Sequence, residues 1–423
     1  MAILKLSTCK SIPLEDKLLI VVFPSVFSQN KIKSLITNIR KILKIQNQKF
    51  SKIRKEGGVV IVDADDPVFA STAINTLFGI KGVAIAKQVD NNFETIVKEI
   101  SNVGVDLFLD GERFLIQVEG YAKGFIPKDV EIAATSSLIE KATKKEIKPG
   151  TNEKFDRHLY VYLTKSHAYI CIYYDNGLGG IPNHSQNKEI ICCIFDELSA
   201  VSCLETIKQG FDVKIIICYI KDSELLHLVK IVNQIIRRTV EPKIRLEFYR
   251  ITIPYISGVR DNAKKLQPLM MTSLTAKILV RIATRWNVKR ISLALSPLIH
   301  PVDFAESLTK QVYNKNLIPY YPLSGLDDNV FETAKEIGLE KYLNSIEKLG
   351  GIRVDRNRYV WYEGSISNQK MLDLAAARTT KDKKTVSVNV GPNNVHEILD
   401  EVRQFFSSQP LRSGSPGKFR DGL

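Results

Sequence analysis

With 423 residues, 44% of them hydrophobic and 25% charged, the chain is long enough for two or more domains with cores of their own and has an ordinary globular composition. No apolar run reaches the length of a membrane span, and the start, MAILKLSTCK, lacks the succession of a secretion signal, so the expectation is no membrane association and a cytoplasmic location. A formal net charge of +14, with a pI near 9.3, favours a polyanionic partner.

The six cysteines are Cys9, Cys171, Cys192, Cys193, Cys203 and Cys218. None forms a C-x-x-C, and no His stands at zinc-site spacing from a pair, so the expectation is buried, reduced thiols and no metal.

In chain order, Leu18 to Phe23 reads as a strand and Pro24 to Asn30 as a loop. Lys31 to Leu43 then places Ile32, Leu35, Ile36, Ile39 and Leu43 on one face of a helix. Between Asn30 and Lys55 stand nine Lys or Arg and no acid. Cations of one sign repel unless an anion is near, so Lys31, Lys33, Arg40, Lys41 and Lys44 are candidate phosphate contacts; a solvated helix face is the alternative. A strand at Val59 to Val62, a helix at Asp66 to Leu77 with Pro67 in its first turn, a strand at Val83 to Ala86 and a helix at Asn92 to Ile100 complete a small α/β unit.

A second module has a strand at Arg113 to Glu119, a helix at Pro127 to Lys141, and a hairpin of Leu159 to Leu163 with Ala168 to Tyr174. Its basic residues include Lys123, Lys128, Lys144 and Lys145, interleaved with acids.

The stretch Gly177 to Ser202 opens a third rhythm. A connector rich in Gly, Pro, Asn and Ser leads into the apolar run Ile190 to Phe195 and a polar bend at Asp196 to Ser199, as at the start of a nucleotide-binding α/β domain. In such folds phosphate meets the backbone N–H groups of this turn. Here the turn lacks glycine and carries Asp196 and Glu197, which would repel an anion. Strands at Val213 to Tyr219, Leu246 to Arg250 and Ile291 to Leu295 then alternate with helices at Ala200 to Gln209, Ser223 to Arg238, Leu269 to Trp286 and Val302 to Asn314, and Ile318 to Pro322 reads as a last turn-bounded piece. This alternation predicts an α/β domain with a doubly wound parallel sheet whose ligands bind at the carboxyl ends of the strands. Lys277, Arg281 and Arg285 recur on one face of the long helix as a second candidate basic surface. Beyond Gly350, Arg353, Arg356 and Arg358 stand beside Trp361, a strand is expected at Thr385 to Val390 and a helix at Asn394 to Phe406, and the last residues read as disordered.

This order of modules resembles the archaeal and bacterial tRNA 4-thiouridine synthases, over roughly residues 15–345. Gly177-Leu178-Gly179-Gly180-Ile181-Pro182 matches the family's G-x-G-G-(L or I)-P. Pro322-Leu323-Ser324-Gly325-Leu326-Asp327-Asp328, followed by Thr333 to Gly338, is similar to its P-L-x-G-x-D-K-x-E and A-x-x-I-G. The resemblance implies a ferredoxin-like domain (residues 1–100), a THUMP RNA-binding domain (101–176), a linker (177–188), a Rossmann-like PP-loop domain of the adenine nucleotide α-hydrolase type (189–349) and a C-terminal extension (350–423). It also implies tRNA as partner, ATP and Mg²⁺ as cofactors, and sulfur transfer through cysteines.

The family's S-G-G-x-D-S falls on Ile194, Phe195, Asp196, Glu197, Leu198 and Ser199, where only the last serine agrees. Its G-D-S-x-G-Q falls on Leu295, Ser296, Pro297, Leu298, Ile299 and His300, and its C-x-x-C falls within the cysteine-free stretch Leu269 to Leu274. Pyrophosphate release needs backbone donors and a cation at the phosphates, and sulfur transfer needs a reactive thiolate. Asp196, Glu197, Ser199 and Ser296 thus mark a degenerate nucleotide site. The expectation is a tRNA-binding adaptor or subunit without catalytic residues or cofactor, acting as a homodimer or with a catalytic partner. The alternatives are an ATP-dependent tRNA sulfurtransferase with unorthodox or partner-supplied groups, and a subunit without RNA contact.

Overall fold

The computed structural model describes residues 18–251, 263–297, 300–325, 335, 366–391 and 393–408. The chain divides into two compact units, one ending at Asn183 and one beginning at His184.

The first unit is built on one eight-stranded sheet. In chain order it comprises β1 (Leu18–Pro24), α1 (Ile32–Ile45), β2 (Phe50–Glu56), β3 (Val59–Ala64), α2 (Pro67–Ile74), β4 (Ile80–Asp90), α3 (Phe93–Leu107), β5 (Arg113–Gly120), α4 (Pro127–Lys141), β6 (Lys148–Pro149), β7 (Arg157–Leu163) and β8 (His167–Gly179). The strand order is β2-β3-β1-β4-β8-β7-β5-β6. The two sequence modules therefore share one sheet, joined where β4 pairs antiparallel with β8, and α3 runs across residue 100.

Side-chain alternation sorts this sheet into two faces. Leu159, Val161 and Leu163 of β7 join Phe114, Ile116 and Val118 of β5 in a core with Val130, Ala134 and Leu138 of α4. Tyr160 and Tyr162, of opposite parity, join Leu19, Val21 and Phe23 of β1 on the other face. The ring of Phe23 lies 5.4 Å from Tyr160 and 5.5 Å from Tyr162. β4 and β8 intervene, so a flat sheet would hold β1 and β7 about 14 Å apart; the sheet must curl, with the aromatic face concave. Curling brings the β2–β3 turn to the β7–β8 turn, where Glu56 accepts from Thr164 Oγ1 (2.6 Å) and Tyr169 Oη (2.8 Å) and bonds His167 Nδ1 (2.9 Å).

The glycine-rich connector belongs to this unit. Gly179 pairs with Ile80, and a Cβ on Gly177 would stand 2.3 Å from the Ile80 carbonyl oxygen, so only glycine fits there. Buried Asn183 closes the segment: its Oδ1 accepts from Phe78 N (3.4 Å) and its carbonyl accepts from Asn38 Nδ2 (2.9 Å).

The second unit comprises β9 (Glu189–Ile194), α5 (Glu197–Lys208), β10 (Asp212–Tyr219), α6 (Asp222–Ile236), β11 (Lys243–Arg250), α7 (Ala263–Trp286), β12 (Arg290–Ser292), α8 (Val302–Tyr313), β13 (Ile318–Tyr320), α9 (Ile366–Thr379), β14 (Lys384–Asn389) and α10 (Val395–Ser408). Its sheet order is β13-β12-β9-β10-β11-β14. The first five are mutually parallel, as the buried apolar runs of β9 and β10 require, and the order reverses between β12 and β9. β14 is the addition: it pairs antiparallel with β11 from Lys243↔Asn389 to Phe248↔Lys384, so the segment beyond residue 350 contributes an edge strand rather than trailing from the domain.

Candidate nucleotide site and basic surfaces

At the carboxyl end of β9, Asp196 caps α5. Its Oδ1 accepts from Ser199 N at 2.8 Å, while Ser199 Oγ accepts from Phe195 N and Asp196 N, each at 2.9 Å. Burial pushes the Asp196 carboxyl above its ordinary value, and the two bonds with Ser199 pull it back in part. The sequence suggests these carboxylates act by repulsion. The structure adds a stronger reason: the amides that would cradle phosphate are already satisfied by the chain's own cap.

The next two strand ends are closed in the same way. After β10, Glu224 Oε2 accepts from Ile220 N (3.1 Å) and Lys221 N (3.2 Å). After β12, the N–H of buried Ser296 donates to His300 Nδ1 at 3.3 Å, and His300 N donates to the Ser296 carbonyl at 2.8 Å. Burial lowers the His300 imidazole below its ordinary value, against the pull of the Ser296 backbone, and its ring stacks 5.9 Å from Phe304.

A cavity of about 380 Å³ opens between the first turns of α5 and α6, lined by Phe195, Asp196, Glu197, Leu198, Ser223, Glu224, His227 and Leu228. His227 Nε2 lies 3.1 Å from Glu197 Oε1. The structure thus brings Asp196, Glu197 and Ser199 together and places Ser296 on the loop after the neighbouring strand β12. Sequence reading misses Ser223, Glu224 and His227. Glu224 stands three residues after the α6 cap, a spacing that could have marked it; the Glu197–His227 pair joins two helices and leaves no sequence signal. The cavity carries carboxylates and no Lys or Arg, a lining that disfavours a triphosphate. No group of three or more His, Cys, Asp or Glu that could hold a metal ion occurs among the described residues.

The described cysteines, Cys171, Cys192, Cys193, Cys203 and Cys218, are all buried. A hydrogen bond with Cys192, together with burial, holds the Cys203 thiol well above its ordinary value, and burial with a bond to Cys218 does the same for Cys193. Neither is a thiolate at neutral pH. Native-state alkylation followed by mass spectrometry should show these five reacting slowly, with an increase of at least 100-fold on unfolding, on the order of what exclusion from solvent and loss of thiolate produce together. Rapid, selective labelling of Cys203 would contradict that assignment.

Of the candidate RNA contacts, Lys33, Arg40, Lys41 and Lys44 are exposed on α1 and Lys31 is half-buried just before it. β2, which the sequence reading leaves unassigned, adds exposed Lys52 and Lys55 to the same basic run. Lys123, Lys128 and Lys144 are exposed around α4, and Lys128 pairs with Glu131 at 2.6 Å. Lys145 turns inward, donating to the carbonyls of Phe108 (2.7 Å) and Val105 at the end of α3. On α7, Lys277 pairs with Asp373 at 2.7 Å and Arg285 Nη2 donates to the Thr380 carbonyl at 2.9 Å, so two of the three residues Lys277, Arg281 and Arg285 hold α9 and the loop after it. Arg353, Arg356, Arg358, Trp361, the segments Leu326 to Asp328 and Thr333 to Ala334, the C-terminal tail and Cys9 lie outside the described residues. No helix among the described residues is long and apolar enough to cross a membrane.

No family model matches the chain. A probable tRNA sulfurtransferase of Thermococcus kodakarensis is 24% identical over 319 residues, 72% of this chain and 81% of that protein. Another, of Methanosarcina acetivorans, is 21% identical over 319 residues, 72% and 76% respectively. Among solved structures, a 4-thiouridine synthetase–RNA complex with bound ATP superposes with a TM-score of 0.62 at 15% identity, covering 88% of this chain and all (100%) of that one. PH1313 from Pyrococcus horikoshii superposes with a TM-score of 0.57 at 17% identity, covering 76% and 100%. The chain is a distant homologue of the tRNA sulfurtransferases and shares the mixed α/β fold of 4-thiouridine synthetase.

Proposed function

We propose that this protein binds tRNA and serves tRNA modification as an adaptor or subunit, without ATP-pyrophosphatase activity of its own. The observation that carries the reading is the closure of the strand ends: Phe195 N, Asp196 N, Ser199 N, Ile220 N, Lys221 N and Ser296 N all donate to side chains of the chain itself. A phosphate could take the first five of these donors only by opening the caps of α5 and α6, each worth about 1 kcal/mol, and the sixth only by displacing His300. The five cysteines among the described residues are all buried, with Cys203 and Cys193 held as thiols, which disfavours each of these five as a sulfur carrier.

Within this reading residues 1–100 form a ferredoxin-like domain, 101–176 a THUMP domain, 177–188 a linker and 189–349 a PP-loop-like domain, followed by an extension at 350–423, in an archaeal-type member of the family. The likeness to probable tRNA sulfurtransferases and the RNA in the 4-thiouridine synthetase complex support tRNA as partner. The exposed cations of α1 supply phosphate contacts, with Lys123, Lys128 and Lys144 as a second set. The protein works in the cytoplasm as a homodimer or with a catalytic subunit that supplies the chemistry.

The ATP bound in that same complex favours a second reading, an ATP-dependent sulfurtransferase using partner-supplied groups. Calorimetric titration separates the two. The expected result is salt-dependent binding of tRNA and no heat with ATP and Mg²⁺, whether or not tRNA is present. Micromolar ATP binding that is lost in Asp196→Ala would establish the second reading instead.

A further inference from the structure

A second run without acids accompanies the one at the N-terminus: from residue 262 to residue 302 there are seven Lys or Arg and no Asp or Glu. The charge excess is also larger in this unit. Residues 184–423 carry 35 Lys and Arg against 26 Asp and Glu, and residues 1–183 carry 25 against 20. The polyanion affinity expected from composition therefore has more unbalanced charge to draw on beyond Asn183 than in the unit that carries α1.

The structure gathers part of that excess at the end of α7. Trp286, the last residue of the helix, has the Lys214 ammonium 5.9 Å and the Lys383 ammonium 6.0 Å from its ring centre. The Arg285 bond to the Thr380 carbonyl, 2.9 Å, fixes Lys381 beside the same helix end. Arg281 stands one turn earlier. Lys214 and Lys383 have acids, Glu189 at 2.9 Å and Glu247 at 2.5 Å. Arg281 and Lys381 are exposed and have no ion-pair partner among the described residues. The helix dipole accounts for a cation in the last turn of α7, but not for Lys214, which comes from strand β10. With Lys214 and Lys383 paired to carboxylates and Arg285 bonded to a carbonyl, the positive charge left unpaired at this helix end is that of Arg281 and Lys381, which an anion can take.

We propose that Arg281 and Lys381, on either side of the Arg285–Thr380 link at the end of α7, where Lys214 and Lys383 lie against Trp286, form a second contact for RNA phosphates, separate from that on α1. α7 leads into β12 at Arg290 and Lys214 lies near the amino end of β10, whereas Lys383 comes from the segment before Lys384, which faces Phe248 in β11. The degenerate nucleotide loops stand at the carboxyl ends of the parallel strands. With two ammonium groups already beside the indole, and a guanidinium and an ammonium as its unpaired groups, the patch suits the phosphate backbone rather than a stacked base, so it adds affinity without sequence preference. This inference rests on the tRNA-binding reading.

The test compares tRNA affinity across a salt series for the wild-type chain, the double variant Arg281→Ala with Lys381→Ala, and the triple variant Lys33→Ala, Arg40→Ala and Lys44→Ala. The double variant is expected to bind roughly ten-fold more weakly at low salt, with a salt slope smaller by about 1 to 2. On the wild-type chain, acetylation footprinting should show tRNA protecting Lys381 and leaving exposed Lys230 of α6 reactive, which tests the surface with no substitution at all. A wild type that binds tRNA while Lys381 stays unprotected and the double variant is unchanged removes this contact and leaves the tRNA reading standing. A wild type that binds no tRNA removes both.

Discussion

Lys383→Met is expected to destabilise the C-terminal unit by about 3 kcal/mol, because it strands a buried carboxylate. Glu247 of β11 has only 4% of its side chain exposed, and Lys383, just before β14, bonds it at 2.5 Å. Tyr249 Oη donates to its other oxygen at 2.5 Å, and Arg245 reaches it from the surface at 3.4 Å. Burial pushes the Tyr249 phenol well above its ordinary value and the adjacent carboxylate pushes it further, so at neutral pH it remains a donor. Without the ammonium, the buried Glu247 carboxylate loses its shortest ion pair and keeps only the Tyr249 hydroxyl and the longer contact to Arg245. The double variant Lys383→Met with Glu247→Gln removes both charges and is expected to recover most of the loss, the usual behaviour of buried pairs. Urea unfolding of the two single variants and the double variant measures the coupling; a Lys383→Met loss below about 0.5 kcal/mol would mean that solvent reaches Glu247 and the pair contributes little.

The second large effect lies at the closure of the curled sheet. Burial alone would raise the Glu56 carboxyl, but hydrogen bonds from Thr164, His167 and Tyr169, and the charge of His167, outweigh it and bring the group down to about 2. A carboxylate whose folded value is depressed contributes stability that is fully present above its unfolded value and is lost as pH falls through the folded one. From the ordinary 4.5 to about 2, the shift corresponds to on the order of 3 kcal/mol at neutral pH. Glu56→Gln should therefore lose roughly that amount at pH 7. Wild type and variant should converge below pH 2 as the wild-type group protonates. Unfolding curves at pH 7, 4 and 2 decide it: a constant gap across this range would show that Glu56 acts through packing rather than charge.

Much of the architecture was legible in the residues. Period-2 runs such as RFLIQVE and the Asp66-Pro67 start of α2 give strand and helix directly, and the helix predicted from Pro127 to Lys141 spans the observed α4. β2 was hidden because FSKIRKE has its apolar residues at Phe50 and Ile53, off a clean alternation, and Lys52 and Lys55 read as more of the basic helix before it. Tertiary contacts hid the rest. Lys145 looks like any surface lysine until α3 ends within reach of its ammonium. Lys277 and Arg285 mark a basic stripe in sequence, yet each has a partner about a hundred residues away that no local pattern announces. At the nucleotide site the loss of glycines was visible at once, whereas the use of Ser199 as an acceptor for two amides appears only when the turn is folded.

The late position of β14 has a consequence for how the chain is made. β11 leaves the ribosome with its outer edge unpaired, and the strand that covers it is complete only 146 residues later, the separation between Lys243 and Asn389 that face each other in the finished sheet. Until then a bare edge with Phe248 and Tyr249 in its strand is open to pairing with a neighbouring nascent chain. Folding of the second unit is therefore completed only once β14 has emerged, because its most distant strand pairing cannot form earlier. A message truncated shortly after the α8–β13 region would yield a product with a finished first sheet and an adhesive second one. Quality control would meet it as an aggregation-prone fragment and not as a smaller working protein.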